Sequence, residues 1–531
     1  MPLLFVTQNQ PGFHQHGTTG ARWRLGWPEA VQIGIIGPLP NLSHLVLDGR
    51  SGTPLYKQLA DAISNLIESS ALAAGDRLPA TRELASQLGL NRTTVSAAYA
   101  LLEQSRQIEG QVGRGSFVAS RDIATEAAGR DWNALLPPPE GEPKPLRSKI
   151  EISFASSSPA EDQLPLSPFR HIARQVIESP EAAEILHLGS SLGYAPLRRY
   201  LFREAVDAGI ARAGDDLIIT NGCQQALDLL ARLFARPGVT VLSEDPVYRG
   251  LLRVFSRSGA DLVGVPVDEA GIELDALEAA LQRHRPKLLL VTPTFQNPTG
   301  STLSLERRER VVALAERFRC VLVESDIYSE LRYAGTSLPT LKQLDKTGST
   351  ILLRSYSKIG FPGLRVGWVI APRPVIARLA EAKEVSDLHS DQLAQAVLLR
   401  FAESGELARH LKRTTQLGAE RLQAALAACV RHLPARSRYT RPEGGLNLWI
   451  ELAAPLTAEA VLRRAQEKGV TFLPGPYFSI RPAHTRSLRI SFGGLAPEQI
   501  TRGIRIVGEA AESELAADAA GNDLESAAAL V

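Results

Sequence analysis

The segment Ser355-Tyr356-Ser357-Lys358-Ile359-Gly360-Phe361-Pro362-Gly363-Leu364-Arg365 sets one amine behind a strand-like run, Ile351 to Leu353, and flanks it with the Ser355 hydroxyl and the Arg365 guanidinium. A lysine at the end of a buried strand loses hydration, and its uncharged form, the one that condenses with an aldehyde, becomes accessible. The flanking serine and arginine are donors suited to a phosphate. A serine beside a lysine is by itself usually solvated surface, so the weight lies in what accompanies it. Asn297-Pro298-Thr299-Gly300 holds an amide donor in a rigid turn after the run Leu288 to Val291. Asp326 and Tyr328 follow the run Val321 to Val323 and offer a carboxylate for a ring nitrogen and a phenol for the oxygen that Asn297 would reach. Gly222, Cys223 and Gln224 lie between a strand and a helix whose first amides can bind an anion. Tyr248, just beyond Pro246, is placed to stack on a flat ring, and Arg489 carries a planar fork that fits a carboxylate, although such arginines are more often structural.

These residues need a scaffold that delivers strand ends to one place. Strand-like and helix-like segments alternate through Leu217 to Thr220, Ala226 to Ala235, Thr240 to Leu242, Tyr248 to Ser256, Leu288 to Val291, Glu306 to Phe318 and Val321 to Val323. Alternation of this kind predicts a doubly wound α/β domain, a mostly parallel sheet with helices on both faces. Further strands are predicted at Ile351 to Leu353 and Val366 to Ile370. Helices then dominate before a last strand at Leu488 to Phe492, which predicts a smaller C-terminal α/β part. The expected boundaries are a large part over about 190–375, a small part over about 376–509, and a flexible Ala-, Glu- and Asp-rich tail over 510–531.

A second group of chemistry-bearing residues lies near the N-terminus. Leu55, Leu59, Ile63 and Leu66-Ile67 recur at helical spacing on a helix expected to end near Gly75. A second helix follows Pro79 with Leu84, Ala85 and Leu88 inside, and Gly89 stops it; a third starts after the capping residue Asn91 and carries Val95, Ala98, Tyr99 and Leu102 on one face. Short extended runs, Gln107 to Glu109 and Ser116 to Ala119, flank Gly113-Arg114-Gly115 as a hairpin with a basic tip. A second helix after a tight turn can enter a major groove if its exposed face carries donors. Asn91, Arg92, Thr93, Thr94 and Ser96 supply such a face, Arg82 can reach phosphate or a guanine edge, and Arg114 can enter a minor groove. On spacing alone, an ordinary solvated helical domain is an equally good reading. Residues 46–120 are expected to form this domain, and 121–150, with Pro137-Pro138-Pro139, Pro143 and Pro145, a semi-rigid linker. Residues 1–45 show no periodicity and are assigned no structure; they are either a disordered arm or sequence read through from an upstream start.

Composition narrows the classes. At roughly 150 residues per domain, 531 residues imply about three or four domains. Hydrophobic residues at 44% and charged residues at 22% supply a large core and exclude wholesale disorder. No apolar run reaches the roughly 18 to 20 residues that cross a bilayer, and no secretory leader opens the sequence. Cys223, Cys320 and Cys429 are odd in number and widely spaced, which predicts a reduced cytoplasmic compartment, no disulfide framework and no metal site. A net charge of +2 means that any nucleic-acid binding must come from a local patch.

An imine lysine, an acid for a ring nitrogen, donors for a phenolic oxygen and a phosphate cradle are together what pyridoxal 5'-phosphate requires of its protein. In their order, these motifs resemble fold-type I aminotransferases over about residues 150–505. Leu78-Pro79-Ala80-Thr81-Arg82-Glu83-Leu84-Ala85, then Leu88-Gly89-Leu90-Asn91-Arg92-Thr93-Thr94-Val95, then Gly113-Arg114-Gly115-Ser116-Phe117-Val118 resemble the winged helix-turn-helix of the GntR family of bacterial transcription regulators. The two in tandem resemble the MocR branch of that family. The resemblance implies a homodimeric regulator that binds double-stranded operator DNA and senses pyridoxal phosphate, often with an amine or amino-acid effector. It also implies site roles: Lys358 as the imine lysine, Asn297 and Tyr328 at the phenolic oxygen, Ser355 and Arg365 at phosphate, Arg489 at a substrate carboxylate, and Arg82, Arg92, Thr93, Thr94, Arg114 and Gly115 at DNA.

Several positions depart from the family pattern. The usual acid lies three residues before the tyrosine, where this chain has Ser325; Asp326 is two before it. Adjacent strand residues face opposite ways, so either the strand end is irregular or ring-nitrogen protonation is compromised. Cys223 replaces a frequent serine, Leu188 stands where many relatives have a tyrosine that reaches the neighbouring subunit, and Ser96 replaces a further basic residue. The competing readings are an active aminotransferase with a fused DNA-binding domain, in which Lys358 also moves the α-proton, and a binding protein that uses the enzyme-like fold only to dimerise.

Overall fold

The computed structural model of the chain describes residues 42, 45, 47–49, 51–69, 71–111, 115–119, 136 and 150–528. They fall into two compact units, one within residues 1–143 and one within 144–531. The predicted linker, apart from two isolated residues, lies outside the described residues.

In the first unit, helices α1 (Leu55–Glu68), α2 (Thr81–Leu88) and α3 (Arg92–Gln104) precede strands β1 (Ile108–Gln111) and β2 (Gly115–Val118). The apolar stripes meet in one core of Leu59 and Ile63 from α1, Leu84 from α2, Val95, Ala98 and Leu102 from α3, and Ile108 and Val118 from the hairpin. Gly89 ends α2 at φ 65°, a conformation that costs glycine little, and the Asn91 side chain caps α3 by accepting from the Thr93 amide at 3.3 Å. The Tyr99 hydroxyl donates to the Pro79 carbonyl at 2.8 Å, fixing α3 against the loop that leads into α2. Strands β1 and β2 pair antiparallel from Ile108 opposite Val118 to Gln111 opposite Gly115. Two expectations are corrected. Helix α1 stops at Glu68, where the Ser69 amide returns to Asn65, short of Gly75. The domain also reaches back past residue 46, because Leu42 is buried in its core with Leu45 and Leu47 packed alongside. Lone leucines without periodicity gave no local signal, and only the tertiary groove buries them.

In the second unit an eight-stranded sheet is built from β3 (Asp215–Asn221), β4 (Thr240–Asp245), β5 (Asp261–Asp268), β6 (Gly271–Ile272), β7 (Leu288–Val291), β8 (Val321–Ser325), β9 (Thr350–Ser355) and β10 (Val366–Pro372). Their spatial order is β3-β10-β9-β8-β7-β4-β5-β6. The run β9-β8-β7-β4-β5 is parallel, and β10 is antiparallel to both neighbours. Side chains alternate strictly. Ile218, Leu288, Leu290, Val323, Ile351 and Leu353 face a core built with helices α4 (Gly222–Phe234), α5 (Arg249–Ser256) and α6 (Arg373–Asp387). Leu217, Ile219 and Leu352 face another core with helix α7 (Gln392–Glu403), and Leu289, Val291 and Leu322 face a third. Burial on both faces explains why β7 reads as an unbroken apolar run.

The long helix α8 (Glu406–His432) leads to a four-stranded antiparallel sheet of β11 (Arg438–Tyr439), β12 (Asn447–Glu451), β13 (Leu473–Pro474) and β14 (Ser487–Ser491), and then to helix α9 (Pro497–Ala528). Strand β12 was missed in the sequence, where three apolar residues, Leu448 to Ile450, between Asn447 and Glu451 carry too short a pattern to mark a strand. The division expected at residue 376 is corrected: α6 and α7 bury Ile376, Leu379, Val397 and Phe401 in the cores of the large sheet. Residues near 150 belong instead with the small sheet, where Ile152–Ser153 pairs with Val470–Thr471 and Phe154 is buried. The tail expected from residue 510 is helical through Ala528, because Ala510 and Ala511 are buried in the same core and Arg464 ion-pairs with Glu514. Alanine-rich sequence looks aperiodic, yet small side chains allow close helix packing. Among the described residues no helix is long and apolar enough to cross a membrane, and no cluster of His, Cys, Asp and Glu could hold a metal ion.

Candidate functional site

Parallel strands deliver their C-terminal ends to one side of a sheet, and the loops that follow converge there. In the second unit this rim encloses about 820 Å³ of space free of protein atoms, mouth included. Lys358, Ser355, Arg365, Cys223, Gln224, Tyr248, Asn297 and Tyr328 all line it, with Glu244, Thr292, Ser325 and Ser357 and an apolar wall that includes Leu227, Val247 and Val323.

One end of the cavity has the makings of an anion cradle. Helix α4 starts at Gly222, so the amides of its first turn have no intrahelical acceptor. Arg365 leans across this turn, donating to the Asn221 carbonyl at 3.2 Å, and reaches the Ser357 hydroxyl at 3.4 Å. The Ser355 hydroxyl sits 3.0 Å from that of Ser357. Gly222 adopts φ 73°, and a β-carbon on it would collide with the Arg365 guanidinium. The Cys223 thiol turns away to donate to the Arg354 carbonyl at 3.2 Å, and burial pushes it up to about 12. Cys223 can therefore serve this end through its backbone amide, with its side chain protonated.

At the Asn297 wall of the cavity the side chains form a directed chain that starts from Arg489, which does not itself line the cavity. Arg489, on β14, donates to Asn297 Oδ1 at 3.1 Å, which turns Asn297 Nδ2 toward the Tyr328 hydroxyl at 3.2 Å. A guanidinium can only donate, so it fixes the orientation of the amide and leaves an N–H and an O–H presented together. Arg489 itself is buried over the Phe478 ring, its Nε has no acceptor, and burial pulls its guanidinium down to about 10. Its other terminal nitrogen donates to the Ala155 carbonyl, so the acceptors it has are uncharged and its positive charge is suited to an anionic ligand. The Lys358 amine donates to the Ser157 carbonyl at 2.5 Å. The Tyr248 hydroxyl donates to Gln224 at 3.3 Å, which holds its ring at the rim.

Asp326 is corrected. Strand β8 keeps its alternation to the end: Val323 and Ser325 line the cavity, while Glu324 accepts from the amides of Leu341 and Lys342 on the opposite face. Asp326 also lies opposite, accepting two hydrogen bonds from Arg354 at 2.9 and 2.6 Å beside a separate cleft. Its carboxylate is thus committed to an ion pair outside the cavity. Sequence reasoning missed Glu244. This carboxyl accepts from the Thr292 amide at 3.1 Å and from Gln296 at 3.4 Å, its Oε1 has no partner, and burial pushes it up to about 8. The only available signal was a Glu-Asp pair at a strand end, which is common on surfaces.

In the first unit, Arg82, Arg92 and Thr93 are exposed on the first turns of α2 and α3, Thr94 is half-buried, and Gly115 opens β2 at φ 110°. Arg114 lies outside the described residues. Arg77 was missed: it bridges Phe117 of β2, and its guanidinium lies against Gly115 at the base of the hairpin. Its signal was a basic residue directly before Leu78-Pro79.

The Aminotransferase class I and II family model matches residues 150–507, and the model of bacterial regulatory proteins of the gntR family matches residues 55–118. The chain is 37% identical to the 2-aminoadipate transaminase of Thermus thermophilus over 369 residues, 69% of this chain and 91% of that one. It is 29% identical to the "Probable rhizopine catabolism regulatory protein MocR" of Rhizobium meliloti over 471 residues, 87% of this chain and 94% of that one. Among solved structures, a kynurenine aminotransferase from Pyrococcus horikoshii superposes with a TM-score of 0.67 at 32% identity, covering 70% of this chain and 92% of its own. The regulator's match is longer than the second unit and so takes in part of the first, whereas the transaminase's match is no longer than the second unit. The chain belongs to the class I and II aminotransferase family, in the MocR-type branch that carries a gntR-family DNA-binding head before the aminotransferase-like domain.

Proposed function

We propose that the protein is a cytoplasmic, homodimeric transcription regulator whose aminotransferase-like domain holds pyridoxal phosphate and senses an amino acid, and whose winged-helix head binds operator DNA. The observation that carries this reading is the convergence of Lys358, the Asn297–Tyr328 pair and the cradle at Gly222, Ser355, Ser357 and Arg365 in one cavity, in a chain that also has a helix-turn-helix head. The donor set fits the cofactor at three of its substituents. The α4 amides and Arg365 would hold its phosphate, Asn297 and Tyr328 its phenolic oxygen, and Lys358 its aldehyde carbon, with Tyr248 over the ring. When bound, the cofactor supplies an electrophilic carbon that takes up primary amines. Arg489 would hold the carboxylate of an amino acid and thereby separate amino acids from simple amines. Exposed Leu186 and Leu188 offer an apolar patch that a second copy could cover.

The head would read DNA through Arg92, Thr93 and Thr94 on α3, with Arg82, Arg77 and the hairpin contacting the backbone or the minor groove. The identity to a transaminase across 91% of its length favours a second reading, catalytic turnover in the same cavity. In the test, full-length protein reconstituted with pyridoxal phosphate is titrated with amino acids while visible absorbance and operator affinity are followed together. The regulator reading expects an absorbance lost in Lys358→Ala and an operator affinity that moves with the amino acid. Operator binding no tighter than random DNA at matched salt would sink it, and sustained amino transfer to an oxo acid would favour the enzyme.

A further inference from the structure

Three substituents of a pyridoxal ring would be fixed by groups already described: phosphate at the start of α4, phenolic oxygen at Asn297 and Tyr328, and aldehyde carbon at Lys358. The ring nitrogen is para to the aldehyde carbon, so it must point away from Lys358 into the rest of the lining. Two side chains there could answer it, Ser325 and Glu244. Ser325 ends β8, paired in register with Leu353 of β9, the strand that leads into the Lys358 loop. It also lies three residues before Tyr328, in the loop that carries the phenolic-oxygen donor. Glu244 is the penultimate residue of β4, which β7 separates from β8. Its carboxyl is bound to Thr292 and Gln296. The two carboxylates adjacent to Ser325 in the chain are both held outside the cavity, Glu324 by the amides of Leu341 and Lys342 and Asp326 by Arg354.

We infer, on the proposed reading of this cavity as a cofactor site, that Ser325 is the group facing the ring nitrogen and that the domain therefore holds pyridoxal phosphate with an uncharged pyridine ring. A carboxylate beside that nitrogen keeps it protonated through a charge-assisted hydrogen bond; a hydroxyl, which stays neutral across the physiological range, cannot supply that charge. The charged ring is what withdraws electrons from the α-carbon of a bound amino acid. Without it, one half of the chemistry survives and the other is suppressed. The amino nitrogen of a ligand can still replace the Lys358 nitrogen at the aldehyde carbon: one carbon–nitrogen double bond forms as the other breaks, the released lysine takes up the proton that the incoming amine gives up, and nothing is oxidised. Loss of the α-proton becomes slow. The site is thereby set to register amino acids reversibly, as a sensor needs, instead of consuming them.

The test reads the nitrogen itself. Full-length protein is loaded with pyridoxal phosphate carrying ¹⁵N in the ring, and its chemical shift is recorded from pH 6 to pH 9. The wild type is expected to show the free-pyridine position throughout, and Ser325→Asp to move it to the pyridinium position. Ser325→Asp should also speed the single-turnover loss of visible absorbance with an amino acid by roughly 100-fold, the scale of a well-placed acid–base group. Should the aspartate variant fail to fold, the wild-type signal decides alone. A pyridinium signal in the wild type at neutral pH overturns the inference, and its disappearance in Glu244→Gln would name Glu244 as the acid responsible. Retention of no labelled cofactor at all would overturn the cofactor reading as well, and is distinguished from the other result by the absence of any bound signal.

Discussion

Glu244 presents a problem that the surrounding residues only half solve. Two donors, Thr292 and Gln296, serve one carboxyl oxygen, the other has none, and burial raises the group from its usual 4.5 to about 8. Between those values the folded protein keeps a proton that the unfolded chain has released, so stability falls as pH rises through this window. The contribution is fully present below about pH 4.5 and lost by about pH 8. Glu324, also raised by burial, pulls in the same direction. Denaturant unfolding of cofactor-free protein at pH 5 and pH 8 should therefore give a lower midpoint at pH 8, and Glu244→Gln should narrow the gap. An equal gap in wild type and variant would show that Glu244 does not hold its proton. Arg489 is the opposite case, a buried cation that the protein leaves without a full set of acceptors, and Asp326 a third, a carboxylate on the face away from the cavity whose Oδ2 accepts twice from Arg354. All three states depend on partners more than 25 residues away in sequence.

At the scale of elements, the packing of α9 against α8 shows propensity and sterics in conflict. Gly508 lies inside a helix, where alanine would ordinarily be favoured by about 1 kcal/mol. Its α-carbon, however, lies against the backbone carbonyl of His432 at the end of α8, and a β-carbon would collide with it. Backbone cannot step aside as a side-chain tip can. Overpacking of this kind costs about 1–3 kcal/mol, so Gly508→Ala should be net destabilising. A thermal midpoint equal to or above that of wild type would count against it. The same close approach accounts for the misread tail: alanines and glycine carry no amphipathic pattern, yet they let α9 pack tightly. Elements whose signal is local fared better. The cap at Asn91, the stop at Gly89 and the apolar run of β7 each rest on a few neighbouring residues, and each is found at the place expected.

For the whole molecule, the proposed regulation is a coupling free energy between two sites, and such coupling is reciprocal. If a bound amino acid changes operator affinity by some factor, operator DNA must change amino-acid affinity by the same factor. Titrating the cofactor absorbance with an amino acid, with and without saturating operator, measures one side, and operator binding with and without the amino acid measures the other. Factors of one on both sides at matched salt would mean that the two units do not communicate in this way. The order of the two units, the α/β class and most cavity residues were legible in short stretches of chain, because motifs such as Asn297-Pro298-Thr299-Gly300 and Ser355 to Arg365 carry their turn chemistry and their donors within a few positions. Tertiary structure alone decided which of Ser325 and Asp326 enters the cavity, that Glu244 joins it, and where α6, α7 and α9 belong. Facing is a property of a strand seated in its sheet, and burial is a property of a helix seated on its neighbours; neither is contained in any window of adjacent residues.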